Sequence, residues 1–398
     1  MPDPVLWRAT WLNRLAGFLA ETDRSLGQWR AEAAAPDTLP RTRARVGAVI
    51  AACEQQRLEV QRLLADVAGG ERQLLPTAVE ADAGALLQLE ENVFRDWAWG
   101  QAEVDATRVL VERLVSGPLG RLAIYGAGAG RLAVDVHQAL GPDETWALDL
   151  NPLPLLVAAR LLAGETVTLP EFPVAPHSDQ GVVMTHALQS SIRPRPGFEL
   201  VLADAFQPPF APASLDTVLT SWFIDANGAD FRATAAAVNR VLRPGGTWLN
   251  VGPLRFKQDL VTSFTIEEVW ELASAAGFQL ESRARDDVPY FDSPASGSRR
   301  IETVFSFRAR KAAEAAPVAH APAEPAWIAD PGRPIPLTEP LVAYGRRSVF
   351  AGSVISLIDG QRSLNDVAAE MGRLWGFDAA RIQDQLRAFF AALPAGTV

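Results

Sequence analysis

The stretch RLAIYGAGAGRLAVDVHQALGPDETWALDLN, residues 121–151, decides the fold of this chain. Residues 122–125 form an apolar run that predicts a short buried strand, and a glycine turn follows it. The turn contains Gly126, Gly128 and Gly130. Apolar residues then recur at helical spacing, and a second apolar run ends at Asp149. The order strand, glycine turn, helix, strand predicts a parallel sheet with helices on its faces.

The same stretch predicts a nucleoside cofactor site. A turn made of glycines lets the backbone approach a ligand closely, and a carboxylate about 20 residues later, Asp149, can accept from ribose hydroxyls. Glycines alone are equally typical of an ordinary turn, so the pairing with Asp149 favours the site. The dinucleotide fingerprint needs Gly or Ala at the sixth position from Gly126, where this chain has Arg131. That residue argues against a nicotinamide cofactor.

Composition narrows the classes of protein. A chain of 398 residues with 48% hydrophobic residues is expected to form two or three domains. Its net charge of −10 argues against nucleic acid as the main partner. The lone cysteine, Cys53, cannot form an internal disulfide, which fits a reducing cytoplasm. No apolar run is long enough to span a bilayer, and no metal-ligand spacing is visible, so we expect a cytoplasmic protein without membrane or metal.

Four regions are predicted. Residues 1–79 read as helices with aromatic stripes that suggest packing or a lid, and residues 80–311 alternate between strands and helices. Residues 312–334 are rich in alanine and proline and predict a semi-rigid linker. Residues 335–398 predict a small helical domain, in which Ser363 with Asp366 caps one helix and Asp378 caps the next. Thr265 with Glu268 predicts a capping box at a helix start in the second region. Within the second region, residues 168–197 look irregular, and we expect His177 and His186 there to be structural or surface residues rather than substrate contacts.

Three aspartates follow predicted strands of the second region. Asp149 and Asp204 each end an apolar run, and Asp225 follows a third run at residues 215–221. In open α/β sheets, ligands bind at the carboxyl ends of the strands. The sequence therefore predicts that these carboxylates share one edge of the sheet.

These motifs resemble class I S-adenosylmethionine (SAM) dependent methyltransferases. Within that class, residues 94–97 (FRDW), 126–132 (GAGAGRL) and 222–254 resemble the carnosine N-methyltransferase group. The resemblance covers about residues 85–311. It implies a Rossmann-like, seven-stranded α/β methyltransferase sheet, closed by a hairpin of the last two strands, and SAM as cofactor.

The resemblance also implies roles for individual residues. The three glycines would pass under the methionine part of the cofactor, and Arg131 would help to hold its carboxylate. Asp149 would bind the ribose, and Asp204, followed by Ala205 and Phe206, would bind the adenine. Arg95 and Trp97 would partly cover the cofactor, although Arg95 could equally form a surface ion pair.

Asp225 is the predicted catalytic residue. A carboxylate that accepts from one imidazole N–H fixes the tautomer and stabilises the cation that forms when the other nitrogen is methylated. A structural role, tying down the next helix, is the alternative. The acceptor site is further expected to include Phe256, Lys257 and Glu302. The carnosine group carries tyrosine and histidine where this chain has Phe256 and Lys257, and a tyrosine cluster where this chain has residues 299–302, so we expect an acceptor other than carnosine.

The C-terminal segment 355–368 (ISLIDGQRSLNDVA) resembles a PqqD-like domain, a winged-helix module that recognises leader peptides. An ordinary three-helix module would give the same pattern. The resemblance implies that an extended leader would bind by strand addition and that the linker would hold the peptide near the catalytic domain.

Three functions follow. The leading hypothesis is a SAM-dependent N-methyltransferase that acts on a side-chain nitrogen, such as a histidine imidazole, in a ribosomally made peptide. The second is a methyltransferase for a small histidine-containing metabolite. The third is a protein that binds SAM or peptide inside a modifying complex without turnover. The acceptor atom and the oligomeric state are not determined by the sequence.

Overall fold

The computed structural model describes residues 19, 22–68, 91–206, 208–227, 230–256, 262–315, 326–345, 352, 354–375 and 379–391. The chain divides into two compact units, and the described residues 29–56 and 91–315 belong to the first. The described residues before 29, those of 57–68 and those from 326 onward belong to the second. Residues 1–18 of the predicted N-terminal helices, residues 316–325 of the predicted linker, and Lys257 lie outside the described residues. The predicted domain boundaries stay predictions.

A seven-stranded sheet forms the centre of the first unit. Its strands are β1 (Arg121–Tyr125), β2 (Glu144–Asp149), β5 (Phe198–Leu202), β6 (Leu215–Ser221), β7 (Leu242–Gly252), β8 (Phe278–Tyr290) and β9 (Arg300–Lys311). They lie in the order β5-β2-β1-β6-β7-β9-β8. The five strands from β5 to β7 are parallel, and β9 and β8 run antiparallel at the far end. The predicted Rossmann-like fold with a closing hairpin is therefore confirmed.

The described helices lie before, between and after these strands in the chain. They are α1 (22–34), α2 (Pro40–Ala68), α3 (Glu91–Phe94), α4 (Gln101–Leu114), α5 (Arg131–Leu140), α6 (Pro152–Ala163), α7 (Phe231–Val241), α8 (Ile266–Ala275), α9 (Ala326–Ala329), α10 (Glu339–Gly345), α11 (Leu364–Trp375) and α12 (Ala379–Ala391). None of the helices in the described part of the chain is long and apolar enough to cross a membrane.

Alternation along β1 builds a core on each face of the sheet. Leu122 and Ile124 pack in one cluster with residues of α4 and α5. Ala123 and Tyr125 pack in the other cluster with residues of α7 and α8. Successive side chains of a strand point to opposite faces, so a strand buried on both faces reads as a continuous apolar run. This explains the unbroken run at residues 122–125.

The order of the strands in the sheet reverses at β1. β2 and β5 lie on one side of β1, and β6 and β7 lie on the other. Ligands of doubly wound folds bind outside the carboxyl ends of the strands at such a switch point. The glycine turn follows β1 and therefore lies at the switch point of this sheet.

The segment of residues 168–197 was expected to be irregular, and this expectation was wrong in part. β3 (Val167–Glu171) and β4 (Met184–Leu188) pair antiparallel in a separate two-stranded sheet. Prolines in and after β3 disguise the strand pattern, because proline is normally read as a strand breaker. Val167, Leu169 and Leu188 are nevertheless buried.

Predicted helix starts in both units are confirmed. Thr265 and Glu268 form a reciprocal capping box at the start of α8. In the second unit the Asp366 carboxylate accepts from the Ser363 backbone N–H at 2.8 Å, while the Asp366 N–H donates to the Ser363 hydroxyl at 3.2 Å. The predicted third cap at Asp378 lies outside the described residues. A capping box satisfies two unpaired backbone donors at once.

The C-terminal part of the second unit has its own apolar core. Trp327, Leu341, Leu364 and Phe390 are among its fully or nearly fully buried members. In the described part of this region, one isolated bridge, Pro334 with Ser363, is the extent of the strand pairing. The helices thus agree with a small helical module, and the winged-helix shape stays a prediction.

Candidate active site

The glycine turn has a backbone that only glycine adopts easily. Gly126, Gly128 and Gly130 have φ values of 72°, 56° and 78°. A Cβ on Gly126 would lie 2.9 Å from the Phe223 ring. Positive φ and the close ring both exclude larger residues, so the turn keeps an open backbone surface at the end of β1.

Asp149 is tied to this turn. One carboxylate oxygen accepts from the Gly128 N–H at 2.7 Å, and the other accepts from the Asn151 N–H at 2.7 Å. Asn151 in turn caps α6 by accepting from the Leu153 N–H. The structure therefore brings the predicted ribose residue and the predicted methionine turn into direct contact.

Asp204 lies at the next strand end. Its carboxylate accepts from the Phe206 N–H at 2.8 Å. Burial raises the Asp204 pKa above its ordinary value, and the hydrogen bond from Phe206 opposes that shift. Ala205 between them is buried, and the Phe206 ring centroid lies 6.4 Å from that of Phe223. An aromatic surface thus connects the predicted adenine residues to the glycine turn.

Trp97, which precedes the glycine turn in the chain, forms a hydrogen bond to that turn. Residues 95–99 form a π-helical turn, a geometry often found at functional sites. The buried Trp97 indole N–H donates to the Ala129 carbonyl at 2.9 Å. Trp97 therefore supports the turn directly, and its predicted role as a cover over the cofactor stays a prediction.

Arg95 is a buried ion-pair residue and not a surface one. Its side chain is 13% exposed and lies 2.8 Å from Asp96 and 3.7 Å from Glu103. Burial alone would lower the Arg95 pKa, but the two carboxylates outweigh it and raise the pKa. The guanidinium reaches the neighbourhood of Gly128, where it would be 3.5 Å from a Cβ. Arg95 thus lies beside the turn, and its predicted role as a cover over the cofactor stays a prediction.

Arg131 is engaged by the protein itself. Its guanidinium donates to Asp135 at 3.1 Å and to Gln101 at 2.6 Å. It also lies over the Trp97 ring, 5.4 Å from the ring centroid. These contacts brace the start of α5, and the predicted contact of Arg131 with a cofactor carboxylate stays a prediction.

Asp225 lies after β6 beside two aromatic rings. Trp222 has a φ of 52° and stacks on Tyr290, with centroids 4.4 Å apart. The Asp225 carboxylate accepts from the Arg255 N–H at 3.3 Å. Burial raises the Asp225 pKa, the Arg255 N–H opposes the shift, and the charge of Glu302 adds to it. Strained non-glycine backbone such as that at Trp222 clusters at ligand-binding sites.

Glu302 is held by two arginines. It is 7% exposed and accepts from Arg255 at 2.5 Å and from Arg300. Arg300 lies over the Tyr290 ring, 4.7 Å from the centroid. Burial raises the pKa of Tyr290 to about 12, and Asp225 is among the charges that contribute to the rise. Glu302, Tyr290 and Asp225 therefore form one neighbourhood.

Phe256 packs beside the neighbourhood of Asp225. Its ring lies against Phe231 and Phe264, with centroids 6.4 Å and 5.8 Å away. It is a partly buried residue at the margin of the apolar core over α7 and α8. Its predicted role as a substrate contact stays a prediction.

A cavity of about 210 Å³ lies beside Phe291 and Arg300. Its apolar wall is formed by Phe94, Trp99, Phe172, Pro173, Val174 and Phe291. Its polar lining comes from Glu171, Ser293, Ser296, Ser298 and Arg300. Pockets with mostly apolar walls and a few placed polar groups are typical of small-molecule sites.

The polar floor of the cavity is Glu171. This 6% exposed carboxylate accepts from Trp99 at 3.2 Å, and from Ser293 at 2.6 Å. The His186 Nε2 lies 2.6 Å from Oε2, the same carboxylate oxygen that accepts from Trp99. The structural role expected for His186 agrees with this contact. Among the described residues, no group of three or more His, Cys, Asp and Glu side chains could hold a metal ion.

Sequence reasoning missed Glu103, Glu171 and Tyr290. Tyr290 on β8 pairs with Arg300 on β9. A tyrosine therefore lies beside residues 299–302, where this chain lacks the tyrosines of the carnosine group. Glu103 reads from the sequence as an ordinary helical acid. The sequence did offer one signal for Glu103. Glu103 follows the motif at residues 94–97 by a few positions, so its carboxylate could be expected near Arg95.

Comparisons with known proteins match parts of this chain. The carnosine N-methyltransferase family model matches residues 182–312. A carnosine N-methyltransferase of Dictyostelium discoideum is 25% identical over 202 residues, which are 46% of this chain and 42% of that protein. The chain thus matches less than half the length of this relative.

Solved structures with a similar fold include a SAM-dependent methyltransferase from Methanosarcina mazei. It is 14% identical, with a TM-score of 0.36, and the match covers 52% of this chain and 98% of that one. The [4+2]-cyclase SpnF is 17% identical with a TM-score of 0.36, covering 65% and 94%. Because these scores are low, the fold assignment depends on the chain's own strand order.

Proposed function

We propose that this chain is a SAM-dependent N-methyltransferase that acts on an imidazole nitrogen of a histidine in a peptide. The observation that carries the proposal is the convergence of the glycine turn, Asp149, Asp204 and Asp225 at the carboxyl ends of adjacent strands. The match to the carnosine N-methyltransferase model, and the name of the Dictyostelium relative, support an imidazole acceptor.

The site fits SAM on structural grounds. The positive φ values keep side chains off the glycine turn, which leaves its backbone accessible to the methionine part of the cofactor. Asp149 would hold the ribose and Asp204 the adenine amino group. When bound, SAM supplies a methyl group on a sulfonium.

Asp225 would position the acceptor. Methyl transfer is an in-line displacement, so the enzyme must hold the nucleophilic nitrogen about 3 Å from the methyl carbon. An ionised Asp225 would accept from the N–H of the other imidazole nitrogen, fix the reactive tautomer and stabilise the imidazolium that forms. The aromatic pair Trp222 and Tyr290 would shield the acceptor ring from water. The mechanism needs an ionised Asp225, and the pKa of this carboxyl is raised. As the pH is lowered, activity should therefore be lost at a higher pH than for an ordinary aspartate.

The binding step can be tested first. Calorimetry on the purified chain should show SAM binding, and Asp149→Ala should weaken it at least 100-fold. Asp149→Asn keeps a hydrogen-bond acceptor for the turn and guards against simple misfolding. Asp143→Ala is the matched control, because Asp143 is exposed at the opposite end of β2. Equal SAM affinity in the Asp149 and Asp143 variants would contradict the proposed site.

The peptide step needs a second assay. A short peptide encoded beside this gene should gain the mass of one methyl group when incubated with the chain and SAM. If the C-terminal module recognises a leader, the leader-bearing peptide should show a lower KM than its core alone. The PqqD-like role and cytoplasmic location are parts of this proposal. SAM binding without methylation of any histidine acceptor would favour a non-catalytic binding protein.

A small histidine-containing metabolite is the second candidate acceptor. The cavity of about 210 Å³ that Phe291 and Arg300 line favours it, since a compact ligand would fit such a volume. Methylation of a free imidazole compound at a kcat/KM equal to that of the peptide would support this candidate over the peptide.

A further inference from the structure

We infer that the cavity beside β3 binds a primary alkylammonium group, and that Glu171 is the residue that selects this cation. The inference goes beyond the proposed function, because binding at the cavity can be measured without SAM and without methyl transfer. It starts from the partners of one buried carboxylate and from the aromatic rings around it.

Glu171 is a buried carboxylate whose contacts are mostly with neutral groups. It is 6% exposed, and burial of a carboxylate is costly unless the charge is paired and hydrogen-bonded. Trp99 and Ser293 are neutral donors. Among the described residues, His186 is the ion-pair partner of Glu171, and it is charged only when protonated. A neutral His186 therefore leaves the carboxylate without a cation in contact.

One oxygen of Glu171 can accept a further hydrogen bond. Trp99 and His186 both contact Oε2, whereas in the described part of the chain the donor to Oε1 is Ser293. A carboxylate offers about four acceptor positions on its two oxygens. Because Glu171 lines the cavity, a ligand N–H that enters the cavity meets an acceptor at its floor.

The walls of the cavity suit an alkyl chain that ends in a cation. Four of the described lining residues are aromatic, namely Phe94, Trp99, Phe172 and Phe291, and Glu171 is the acid among them. Aromatic rings bury an apolar chain favourably, and their faces attract an ammonium group. The volume of about 210 Å³ admits a short chain. The combination therefore selects a small alkylammonium over an anion.

Arg300 also lines the cavity but does not neutralise Glu171. Its guanidinium donates to Glu302 and lies over the Tyr290 ring, 4.7 Å from the centroid. In the described residues no ion pair joins Arg300 to Glu171. The charge of Arg300 is thus matched at Glu302, and the open position on Glu171 is available to a ligand.

Two segments that line the cavity are fixed to each other. The Val174 N–H donates to the Ser296 hydroxyl at 3.1 Å, and the Gly297 N–H donates to the Ala175 carbonyl at 3.0 Å. Ser293, from the second segment, donates to Glu171 at 2.6 Å. A site that is already formed binds its ligand without the cost of ordering loops. The cavity is therefore ready for a ligand in the structure as it stands.

The test compares n-butylamine with 1-butanol, which differ in the group at the end of one alkyl chain. Calorimetry on the full chain at pH 8, where the amine is protonated, should give a Kd for the amine at least about 10-fold lower than for the alcohol, as expected for a hydrogen bond to a charged group. Glu171→Gln should remove this preference and leave alcohol binding unchanged. Glu165→Gln is the matched control, because Glu165 lies just before β3 and pairs with Arg160 at the surface, and it should keep the preference.

A second variant tests the cavity with Glu171 intact. Ser298 is exposed and lines the cavity, so a larger side chain there is compatible with folding. Ser298→Trp fills part of the space and should abolish butylamine binding. If Glu171→Gln does not fold, this variant decides the inference.

The ammonium group has two sources, the methyl acceptor itself or a separate amine. Two histidine peptides that differ only in lysine or norleucine beside the histidine distinguish them. Faster methylation of the lysine peptide, lost in Glu171→Gln, assigns the cavity to the acceptor. Equal methylation of both peptides by a chain that binds butylamine assigns it to a separate amine.

Several results would overturn the inference. They are equal affinity of the wild type for amine and alcohol, binding of neither probe, a preference that persists in Glu171→Gln, and unchanged butylamine binding in Ser298→Trp. An equal loss of preference in Glu165→Gln would assign the effect to general charge and would also refute it. Failure to bind SAM would instead refute the proposed function, and the butylamine titrations would still decide the role of Glu171.

Discussion

Glu103 is expected to make the stability of the first unit depend on pH. It is 4% exposed, and its carboxylate accepts from the Phe291 N–H at 2.8 Å and lies 3.7 Å from Arg95. Burial raises the Glu103 pKa from 4.5 to about 7, against the opposing effects of Arg95 and the Phe291 hydrogen bond. The charges of Asp96 and Asp292 add to the rise.

The sign follows from proton binding. Between pH 4.5 and about 7 the folded chain binds the Glu103 proton more tightly than the unfolded chain, so the free energy of unfolding falls as the pH rises through this window. Each tenfold change in the ionisation constant is worth 1.36 kcal/mol, so the contribution is about 3 kcal/mol. It is present in full at pH 4 and absent above about pH 8.

Glu103→Gln isolates this contribution. The amide oxygen can still accept from the Phe291 N–H, but the side chain no longer titrates. The unfolding free energy of the variant minus that of the wild type should therefore increase by about 3 kcal/mol between pH 4 and pH 8. Urea denaturation followed by tryptophan fluorescence at several pH values measures it.

A control residue lies on the same helix. Glu112 pairs with Arg108 at the surface, and Glu112→Gln leaves Glu103 in place, so the pH dependence assigned to Glu103 should remain in this variant. A difference for Glu103→Gln that stays constant from pH 4 to pH 8 would refute the reasoning, because it would mean that Glu103 titrates alike in both states.

Three further predictions concern the site. Asp225→Asn should lower kcat at least 100-fold at neutral pH while leaving the calorimetric Kd for SAM within about threefold; a loss confined to SAM binding would assign Asp225 to the cofactor. Trp97→Phe should lower the free energy of unfolding by about 1 to 3 kcal/mol and weaken SAM binding, because it leaves a buried carbonyl of the glycine turn unpaired. Trp99→Phe, which loses its bond to the cavity floor, should leave SAM affinity unchanged, and equal effects in the two variants would contradict the role of Trp97. Gly126→Ala should abolish SAM binding through strain at positive φ and the nearby ring, and an unaffected Kd in titrations would show that the turn tolerates a side chain.

The prediction of the fold depended on local sequence patterns, namely apolar runs, glycines and helix caps. Residues 122–125 predicted the central buried strand, the glycines predicted the turn, and Thr265 with Glu268 predicted a helix start that the structure confirms. Each of these features depends on residues a few positions apart, whose conformational preferences act within one turn or strand. The irregular appearance of residues 168–197 misled because prolines in and after β3 masked its strand pattern.

The sequence by itself determined the doubly wound sheet, the position of the glycine turn at its centre and the three aspartates at its strand ends. Only the tertiary structure decided that Arg95 is buried between Asp96 and Glu103, that Phe256 packs at the margin of the core, and that Arg300 with Arg255 shares Glu302. The physical reason is that periodicity specifies which face of an element is buried, whereas the partner of a buried charge is set by elements far apart in the chain. Charge pairing and the cavity beside it therefore appear only once the sheet, α4 and the β8–β9 hairpin are packed together.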